Sequence, residues 1–504
     1  AELVLAGQGG NRQELLNALD WMNAALYSPY LETENLPRIL DCLDQMIKSA
    51  RNRVKAPEEY WVNGVADGYR FDNNPLMLTS ICFLTQAHML QRMRWLLTDP
   101  GGQAAQTELA EFIDALRAAG DGRSRQALLD LCGDIESMST GGESSVQNEV
   151  ATRYAALGEP AKATAGALIQ SLPVMLGDIP DVSLSADWTY LCNQARSDLL
   201  ASPSVVLTRL KEVLALLRRT DNARLFMVSN TQDRTAAMPG IEGLTNKLAR
   251  ERSTRQSYSA TRRVLARLNE RDNNAGSPII YAGLVHQGTQ NGVLIFSARI
   301  ADEFDTTTGA VINCLSGKLY GGRGPHGLFT RTWAAGLAYS NGYTFSQQTG
   351  RVNYYAERCP DVAETMRFVV NELKNAKPDS SLVDYAIAQI FRSSRSQGRY
   401  EQRAEAMAAD LADGFTPEVV RRYSEKVLQM RRNPDLLSKL EGQMRDAYGP
   451  VLVGYGPPPE KTTDSYFFLI GPEPQFQSLE EYIASEEGPH KIHRLYPRDF
   501  WLTP

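Results

Sequence analysis

The sequence predicts an α+β fold in which two related α+β domains, the first of them incomplete, are joined by a long helical segment. The chain has 504 residues, 43% of them hydrophobic, and one pattern of strand, helix and helix occurs twice in it. A length of this size leaves room for about three or four domains. We therefore predict three ranges, 1–100 for the incomplete domain, 101–277 for the helical segment and 278–504 for the complete domain.

The first copy of the repeated pattern lies at the N-terminal end. Residues 1–6 predict a short strand, and Asn11 followed by Glu14 is typical of a helix N-terminus. Helices are predicted over residues 11–27 and 36–50 because apolar residues recur there at helical spacing. These residues are Leu15, Leu19, Met22 and Leu26 in the first helix and Ile39, Leu43, Met46 and Ile47 in the second.

The middle of the chain is predominantly helical in this prediction. Residues 103–220 have helical patterns that are interrupted by glycine and serine at 139–145. Residues 224–230 (RLFMVSN) predict one strand. The polar and basic residues 245–278 predict a loop and a helix that lead into the next domain.

The C-terminal domain begins near residue 278. Its predicted strands are 279–285, 292–300, 351–358, 451–456 and 465–471, with a helix at 303–319 and a glycine-rich loop at 321–327. The second copy of the pattern consists of the strand near 351–357 and helices at 361–375 and 381–393. Chance similarity of a common pattern remains the alternative to a true repeat.

The first copy has no counterpart of residues 278–350 before it. Its sheet would consist of one strand with an open edge, and its helices would expose apolar faces to water, both of which are unfavourable. We therefore predict that another polypeptide completes this domain. That polypeptide is either a partner chain or the N-terminal part of the same precursor after cleavage.

The composition excludes several classes of protein. The net charge is −6 and the isoelectric point about 5.6, which argues against a dedicated nucleic-acid binder because phosphate contacts need a basic surface. No apolar run is long enough to predict a membrane span. The six cysteines occur singly, without a CxxC motif, so we predict buried thiols rather than a zinc ribbon or a disulfide scaffold.

Residues 312–373 (INCLSGKLYGGRGPHGLFTRTWAAGLAYSNGYTFSQQTGRVNYYAERCPDVAETMRFVVNEL) resemble the pitrilysin/insulinase family of inverted-zincin metallopeptidases. The presequence protease subgroup is the most similar. Residues 3–26 (LVLAGQGGNRQELLNALDWMNAAL) resemble the strand and helix in the second half of the family's third domain. The resemblance covers most of 1–95 and 278–430, whereas residues 100–275 have no clear match.

The resemblance implies four homologous α+β domains of the LuxS/pitrilysin type, arranged in two halves that enclose a chamber in which peptides are cleaved. It also implies a zinc ion bound by an HxxEH helix in the N-terminal half. This motif places two histidines on one helical face beside a glutamate that serves as general base. The present chain has five histidines, and no two of them are four residues apart.

We therefore expect the chain alone to be inactive, with the zinc in a partner N-terminal half or subunit that carries HxxEH. In this family the C-terminal half supplies an arginine and a tyrosine that hold the substrate backbone. Arg331 and Tyr339 are the corresponding candidates here, since a guanidinium and a phenol both donate hydrogen bonds to peptide carbonyls. The alternatives are a surface ion pair for Arg331 and packing against the sheet for Tyr339.

Three functions are compatible with the sequence. The first is the substrate-binding, C-terminal half of a zinc metalloendopeptidase that degrades peptides, and the second is a catalytically inactive peptide-binding or scaffold subunit of a larger complex. The third is a free-standing helical adaptor. A periplasmic or organellar location follows only from the family that the chain resembles.

Overall fold

The computed structural model describes seven stretches of the chain, and these form an α+β fold of many helices and one six-stranded sheet. The predicted fold class is therefore confirmed. The chain divides into two compact units: unit 1 contains residues 1–53, 71–267 and 496–504, and unit 2 contains residues 54–70 and 268–495. The described residues are 3–139, 149–251, 260–272, 279–322, 324–393, 400–456 and 465–502.

The helices that lie before the sheet are numbered in chain order. They are α1 (Arg12–Tyr27), α2 (Leu36–Asn52), α3 (Val62–Arg70), α4 (Pro75–Ile81), α5 (Phe83–Leu96), α6 (Gln103–Gly120), α7 (Arg125–Ser139), α8 (Glu149–Ala156), α9 (Glu159–Leu176), α10 (Leu184–Leu199), α11 (Pro203–Leu217), α12 (Thr231–Thr245) and α13 (Arg263–Asp272). All of them belong to unit 1 except α3, which is part of unit 2, and α13, which crosses the boundary.

Unit 2 contains the strands and the remaining helices. The strands are β1 (Tyr281–Val285), β2 (Gly292–Arg299), β3 (Ser340–Ser346), β4 (Arg351–Cys359), β5 (Tyr466–Gly471) and β6 (His493–Leu495). The helices are α14 (Thr308–Lys318), α15 (Leu328–Ala334), α16 (Val362–Lys374), α17 (Ser380–Ser393), α18 (Tyr400–Ala412), α19 (Pro417–Met430), α20 (Leu436–Tyr448) and α21 (Glu473–Glu487).

The core of unit 1 is built from helices alone. Helix α6 buries one stripe at helical spacing, Leu109, Phe112, Ile113 and Leu116, and this stripe belongs to one cluster with buried side chains of α9 and α10. Trp188 of α10 lies against Gly120, where a Cβ atom would be 2.2 Å from the indole nitrogen. A larger residue at position 120 would displace the tryptophan, so the close contact of α6 and α10 needs glycine there.

Unit 1 also buries charged side chains, and they pair with one another. Asp187 accepts hydrogen bonds from Arg267 Nη2 at 2.5 Å, from Arg498 Nε at 3.0 Å and from Ser183 Oγ at 2.7 Å. Arg92 binds both carboxylate oxygens of Asp198, at 2.8 and 3.0 Å. A buried charge that loses its partner is costly in free energy. Separating the C-terminal residues from these helices would break the pairs, so the pairs stabilise their association.

The sheet of unit 2 has the strand order β3-β4-β2-β5-β1-β6. Strand β2 is antiparallel to β4 and β5, and β1 is parallel to β5 and β6. Strand β3 is antiparallel to β4, with Ser340 opposite Glu357 and Ser346 opposite Arg351. Strand β3 thus forms one edge of the sheet and the short strand β6 forms the other.

The two faces of the sheet are covered differently. Side chains such as Tyr343 and Tyr354 point into a large core that includes α14, α16, α17, α20 and α21. The opposite face contacts α3, where Tyr69 lies 5.9 Å from Phe468 between ring centroids. Because α3 covers the middle strands β2 and β5, the same face near β3 and β4 is left open to form a cavity.

Most of the predicted strands of unit 2 are confirmed. The predictions near 279–285, 292–300, 351–358 and 465–471 correspond to β1, β2, β4 and β5, and α16 and α17 follow β4 as predicted. The strand predicted at 451–456 is wrong, since residues 449–456 form a 3-10 turn and further turns. Pro450 lacks a backbone donor and Gly454 has a φ of +81°, both of which interrupt a strand.

Two strand predictions in unit 1 are wrong. Residues 3–9 form no strand, and neither do residues 224–230. A strand needs a neighbour for its backbone hydrogen bonds, and no other strand occurs among the described residues of unit 1. Both helices of the first copy do form, and Asn11 caps α1 by accepting a hydrogen bond from Glu14 N at 3.0 Å.

Several predicted features fall wholly or partly outside the described residues. They are residues 1–2 of the first predicted strand, most of the break at 139–145, parts of the basic stretch 245–278 and Arg323 of the glycine-rich loop. All six cysteines are described and all are free, five of them buried and Cys42 exposed. None of the described helices is both long and apolar enough to cross a membrane.

Candidate functional site

The two residues predicted to bind substrate have different partners in unit 2. Arg331 lies in α15, and its guanidinium forms an ion pair with the carboxylate of Glu372 in α16. Tyr339 directly precedes β3, its side chain is 56% exposed, and its backbone N–H donates to Glu357 O at 2.9 Å. Arg331 is therefore held by a carboxylate, whereas Tyr339 presents its ring at the start of the edge strand.

Arg358 is the residue that contacts the predicted tyrosine. Its guanidinium lies 4.6 Å from the centroid of the Tyr339 ring and forms an ion pair with Glu59. The hydrogen bond that Arg358 donates to the Glu59 carboxylate raises the pKa of Arg358, so the arginine remains charged. The sequence analysis missed Arg358, although its place at the end of the predicted strand 351–358 was available as a signal.

A polar cavity of about 390 Å³ opens beside α3, on the face of the sheet that α3 contacts. Its volume is in the range of small-ligand sites. Side chains from one face of β3 and β4 form its floor, and Gly342 leaves room for the Tyr355 ring, whose hydroxyl lies 2.8 Å from where a Cβ atom would be. The lining residues are Val62, Asn63, Asp67, Arg70, Ile295, Ser340, Thr344, Thr349, Arg351, Asn353, Tyr355, Glu357 and Tyr466.

One end of this cavity contains a cluster of charged and phenolic groups. The Tyr466 hydroxyl donates to Asp67 Oδ1 at 3.4 Å, and Arg351 Nε donates to Ser297 Oγ at 3.1 Å. Burial raises the pKa of Asp67, although the positive charges of Arg70 and Arg351 oppose this effect. Burial also raises the pKa of Tyr466 to about 12, with a further contribution from the charge of Asp67.

Ser340 lines the other part of the cavity and is unusual in its lack of partners. The residue is only 5% exposed, and its Oγ has no hydrogen-bond partner in the described part of the chain. A buried hydroxyl without a partner costs free energy. The cavity therefore presents a polar atom that a bound ligand can satisfy.

The histidines are distributed over separate places. His88 is buried in unit 1, whereas His286, His326, His490 and His493 lie in unit 2, where His493 Nδ1 is 2.8 Å from Asp272 Oδ2. Among the described residues, no group of three or more His, Cys, Asp or Glu side chains could hold a metal ion. The sequence contains no HxxEH motif, and the described histidines do not form the ligand set of such a zinc site.

Comparisons of sequence give no relatives. No family model matches the chain, and no curated protein matches it. The family that residues 312–373 resemble therefore has no support from sequence matches.

Several solved structures that resemble the fold of this chain are peptidases. One is the inactive domain of an M16 peptidase from Pseudomonas fluorescens, at 12% identity and a TM-score of 0.30, covering 49% of this chain and 51% of that one. A second is a predicted insulinase family protease from Yersinia pestis, at 14% identity and a TM-score of 0.37, covering 56% of this chain and 60% of that one. A third is the first half of the periplasmic protease PqqL from Escherichia coli. It has 10% identity and a TM-score of 0.34, and the match covers 74% of this chain and 73% of that one.

These neighbours are M16 and insulinase-family peptidases, including an inactive domain and a half-length chain. The presequence protease subgroup is not among the ones described. The chain spans 51% and 60% of the first two structures. All three TM-scores are below 0.5, so the function is inferred below from the residues of this chain.

Proposed function

We propose that this chain is the substrate-binding half of a zinc metalloendopeptidase and that it binds extended peptides along β3. The observation that carries the proposal is the edge strand itself, which begins beside the exposed Tyr339 and runs along the polar cavity. The HxxEH motif and its zinc would belong to a partner half. This chain would hold the peptide while the partner supplies the chemistry.

An edge strand can bind a peptide through the backbone alone. Strand β3 pairs with β4 on one side, and none of the other described strands pairs with its outer edge. An extended peptide that adds to this edge gains main-chain hydrogen bonds irrespective of its sequence. Side chains of the peptide would alternate between the two faces, so every second one would lie on the side of the cavity.

Unit 1 supports the need for a partner. The predicted apolar face of helix α1, formed by Leu15, Leu19, Met22 and Leu26, is half-buried against α12, and Trp21 of the same helix is 76% exposed. Exposed apolar patches of this kind commonly mark contacts with another protein. The exposed apolar side chains of unit 1 near α1, α11 and residues 224–230 are Leu3, Val4, Trp21, Val205, Val213, Leu216, Leu217, Leu225 and Phe226.

We also propose that the chain belongs with the presequence protease subgroup, which residues 312–373 resemble most within the family. An inactive peptide-binding or scaffold subunit is the second candidate. The ion pair between Arg331 and Glu372 favours it, since this arginine already has a carboxylate partner. The two candidates differ in one respect: only the first predicts peptide cleavage by the complex of this chain with its partner.

Hydrogen exchange tests peptide binding at β3. The full chain is mixed with tryptic peptides of casein, and amide exchange is followed by mass spectrometry. We expect slower exchange over residues 340–346 and unchanged exchange over residues 493–495 of β6, the opposite edge of the sheet. Protection at neither edge, or at β6 alone, would contradict the proposal.

A further inference from the structure

We propose that Arg358, held by Glu59, is the positioning residue for Tyr339. This inference rests on the proposed function, because it concerns how Tyr339 is held for peptide binding. Three observations on the described residues support it: a ring contact, an ion pair and a strained backbone.

The ring contact fixes the orientation of Tyr339. The guanidinium of Arg358 lies 4.6 Å from the ring centroid, within the distance at which a cation is attracted to an aromatic face. The ring remains 56% exposed, so one part of it is covered by the arginine while the rest is available to a ligand. A side chain that is already oriented loses less conformational entropy when a peptide binds.

The ion pair fixes Arg358 in turn. The Glu59 side chain is 9% exposed and the Arg358 side chain 35% exposed, so this pair is less hydrated than a surface pair. Glu59 Oε2 is buried and has no hydrogen-bond partner among the described residues. Without Arg358 the carboxylate would be buried without a charge to balance it, and the pairing is therefore strongly preferred.

The backbone at Arg358 is strained. Its φ is +51°, a left-handed conformation that residues other than glycine rarely adopt. Such strain persists only where surrounding interactions require it, and it is common at functional sites. Arg358 is the next-to-last residue of β4, and its guanidinium contacts both Tyr339 and Glu59.

Arg331 offers a contrast within the same unit. It is the arginine that the family resemblance offers as a candidate, yet its partner among the described residues is the carboxylate of Glu372 and not the ring of Tyr339. The guanidinium that meets the tyrosine thus comes from β4 rather than α15. In a peptide complex, Arg358 would act through Tyr339 rather than by reacting itself.

Replacement of Arg358 by glycine separates this role from a structural one. Glycine relieves the strain at φ +51°, but alone it would leave the Glu59 carboxylate unpaired, so the Arg358→Gly protein also carries Glu59→Gln. Its thermal midpoint should then change little, whereas the contact with Tyr339 is lost. We expect about tenfold weaker binding of fluorescein-labelled tryptic casein peptides in anisotropy titrations of the full chain. Arg358→Lys keeps the charge and should restore part of the affinity. Glu59→Gln should weaken binding less than Arg358→Gly.

Arg431→Ala is the matched control, because Arg431 forms an exposed ion pair with Asp384 and contacts no part of the proposed site. It should leave affinity unchanged. Unchanged affinity in Arg358→Gly, or equal losses in Arg358→Gly and Arg431→Ala, would overturn the inference.

A second readout does not depend on peptide binding. With 3-fluorotyrosine incorporated at position 339, the ¹⁹F signal should shift and broaden in Arg358→Gly and should remain unchanged in Arg331→Gly. If no peptide binds to the wild-type chain, the proposed function fails, and this signal still decides the inference. A ¹⁹F signal that responds to Arg331 and not to Arg358 would overturn it.

Discussion

Units 1 and 2 both contain buried polar side chains, but these have different surroundings. In unit 1, Asp187 has three donors and Asp198 has a two-point contact with Arg92. In unit 2, Ser340 Oγ and Glu59 Oε2 lack hydrogen-bond partners in the described part of the chain, and both lie near the start of β3. Buried polar atoms without a hydrogen-bond partner also occur among the described residues of unit 1, for example Arg498 Nη1 and His88 Nδ1. The position of Ser340 in the lining of the cavity, together with its missing partner, is therefore what indicates a site for a ligand.

The largest effect should follow from breaking the network of unit 1. Asp187→Ala removes the carboxylate that pairs with the buried Arg498, whereas Arg267 keeps its second partner, Asp499. We expect a loss of about 3–5 kcal/mol in the free energy of unfolding, measured by urea denaturation. Asp181→Ala is the control, since its carboxylate is 80% exposed and its pair with Arg125 should contribute at most about 1 kcal/mol. Equal losses would show that the two pairs do not differ as described.

The second largest effect concerns pH and His88. This histidine is fully buried, its Nε2 donates to Gln194 Oε1 at 2.8 Å and its ring is stacked on Trp501. Burial, reinforced by the charge of Arg92, lowers the pKa of His88 to about 3. The unfolded chain, with a histidine pKa near 6.5, therefore binds a proton below pH 6.5 that the folded chain does not bind.

Stability should accordingly fall as the pH decreases from 6.5 toward 3, by up to about 1.4 kcal/mol for each pH unit from this residue alone. The His88→Gln variant should lack this component, so its free energy of unfolding should depend less steeply on pH between 6 and 4. Parallel pH profiles for the two proteins in urea denaturation would contradict the assignment.

A smaller effect is expected at the site of unit 2. Tyr339→Ala removes a ring that is more than half exposed, so the thermal midpoint should change little, whereas peptide affinity should fall about tenfold. Anisotropy titration with labelled casein peptides measures the affinity. Trp333→Ala serves as a control, because Trp333 is 62% exposed on the neighbouring helix α15. An equal loss of peptide affinity in Trp333→Ala would show that Tyr339 has no special role in binding.

The smallest effect distinguishes two serines on the same face of the sheet. Ser297 Oγ accepts a hydrogen bond from the buried Arg351, whereas Ser340 Oγ has no partner. Ser297→Ala should cost about 1–2 kcal/mol of unfolding free energy, and Ser340→Ala should leave it within about 0.5 kcal/mol or raise it. A large loss in Ser340→Ala would show that its hydroxyl is satisfied within the folded chain.

The sequence predicted the sheet well where hydrophobic residues form continuous strands. Strands β1, β2, β4 and β5 are buried along most of their length, and their patterns were recognised. Residues 3–9 and 224–230 have similar local patterns but form no strand, because a strand depends on a neighbour that local sequence does not specify. Residues 54–70 also belong to unit 2 although more than 190 residues separate them from its remainder, and no local signal reveals such a contact.

The site was predicted only in part for a similar reason. Tyr339 was identified from the resemblance, and its exposed place before β3 suits the predicted role, which remains untested. Arg358 was missed because its importance depends on Glu59, which is 299 residues away in the chain. Tertiary contacts of this kind, and the backbone strain at φ +51°, become visible only in the folded structure.

Native mass spectrometry with zinc analysis, on the protein purified from its natural source, tests the central claim most directly. The account predicts a second polypeptide bound to this chain, one zinc ion per complex and an HxxEH motif in the partner. It also predicts that the complex, but not this chain alone, cleaves casein peptides. A 55.9 kDa species without metal and without a partner would contradict the account.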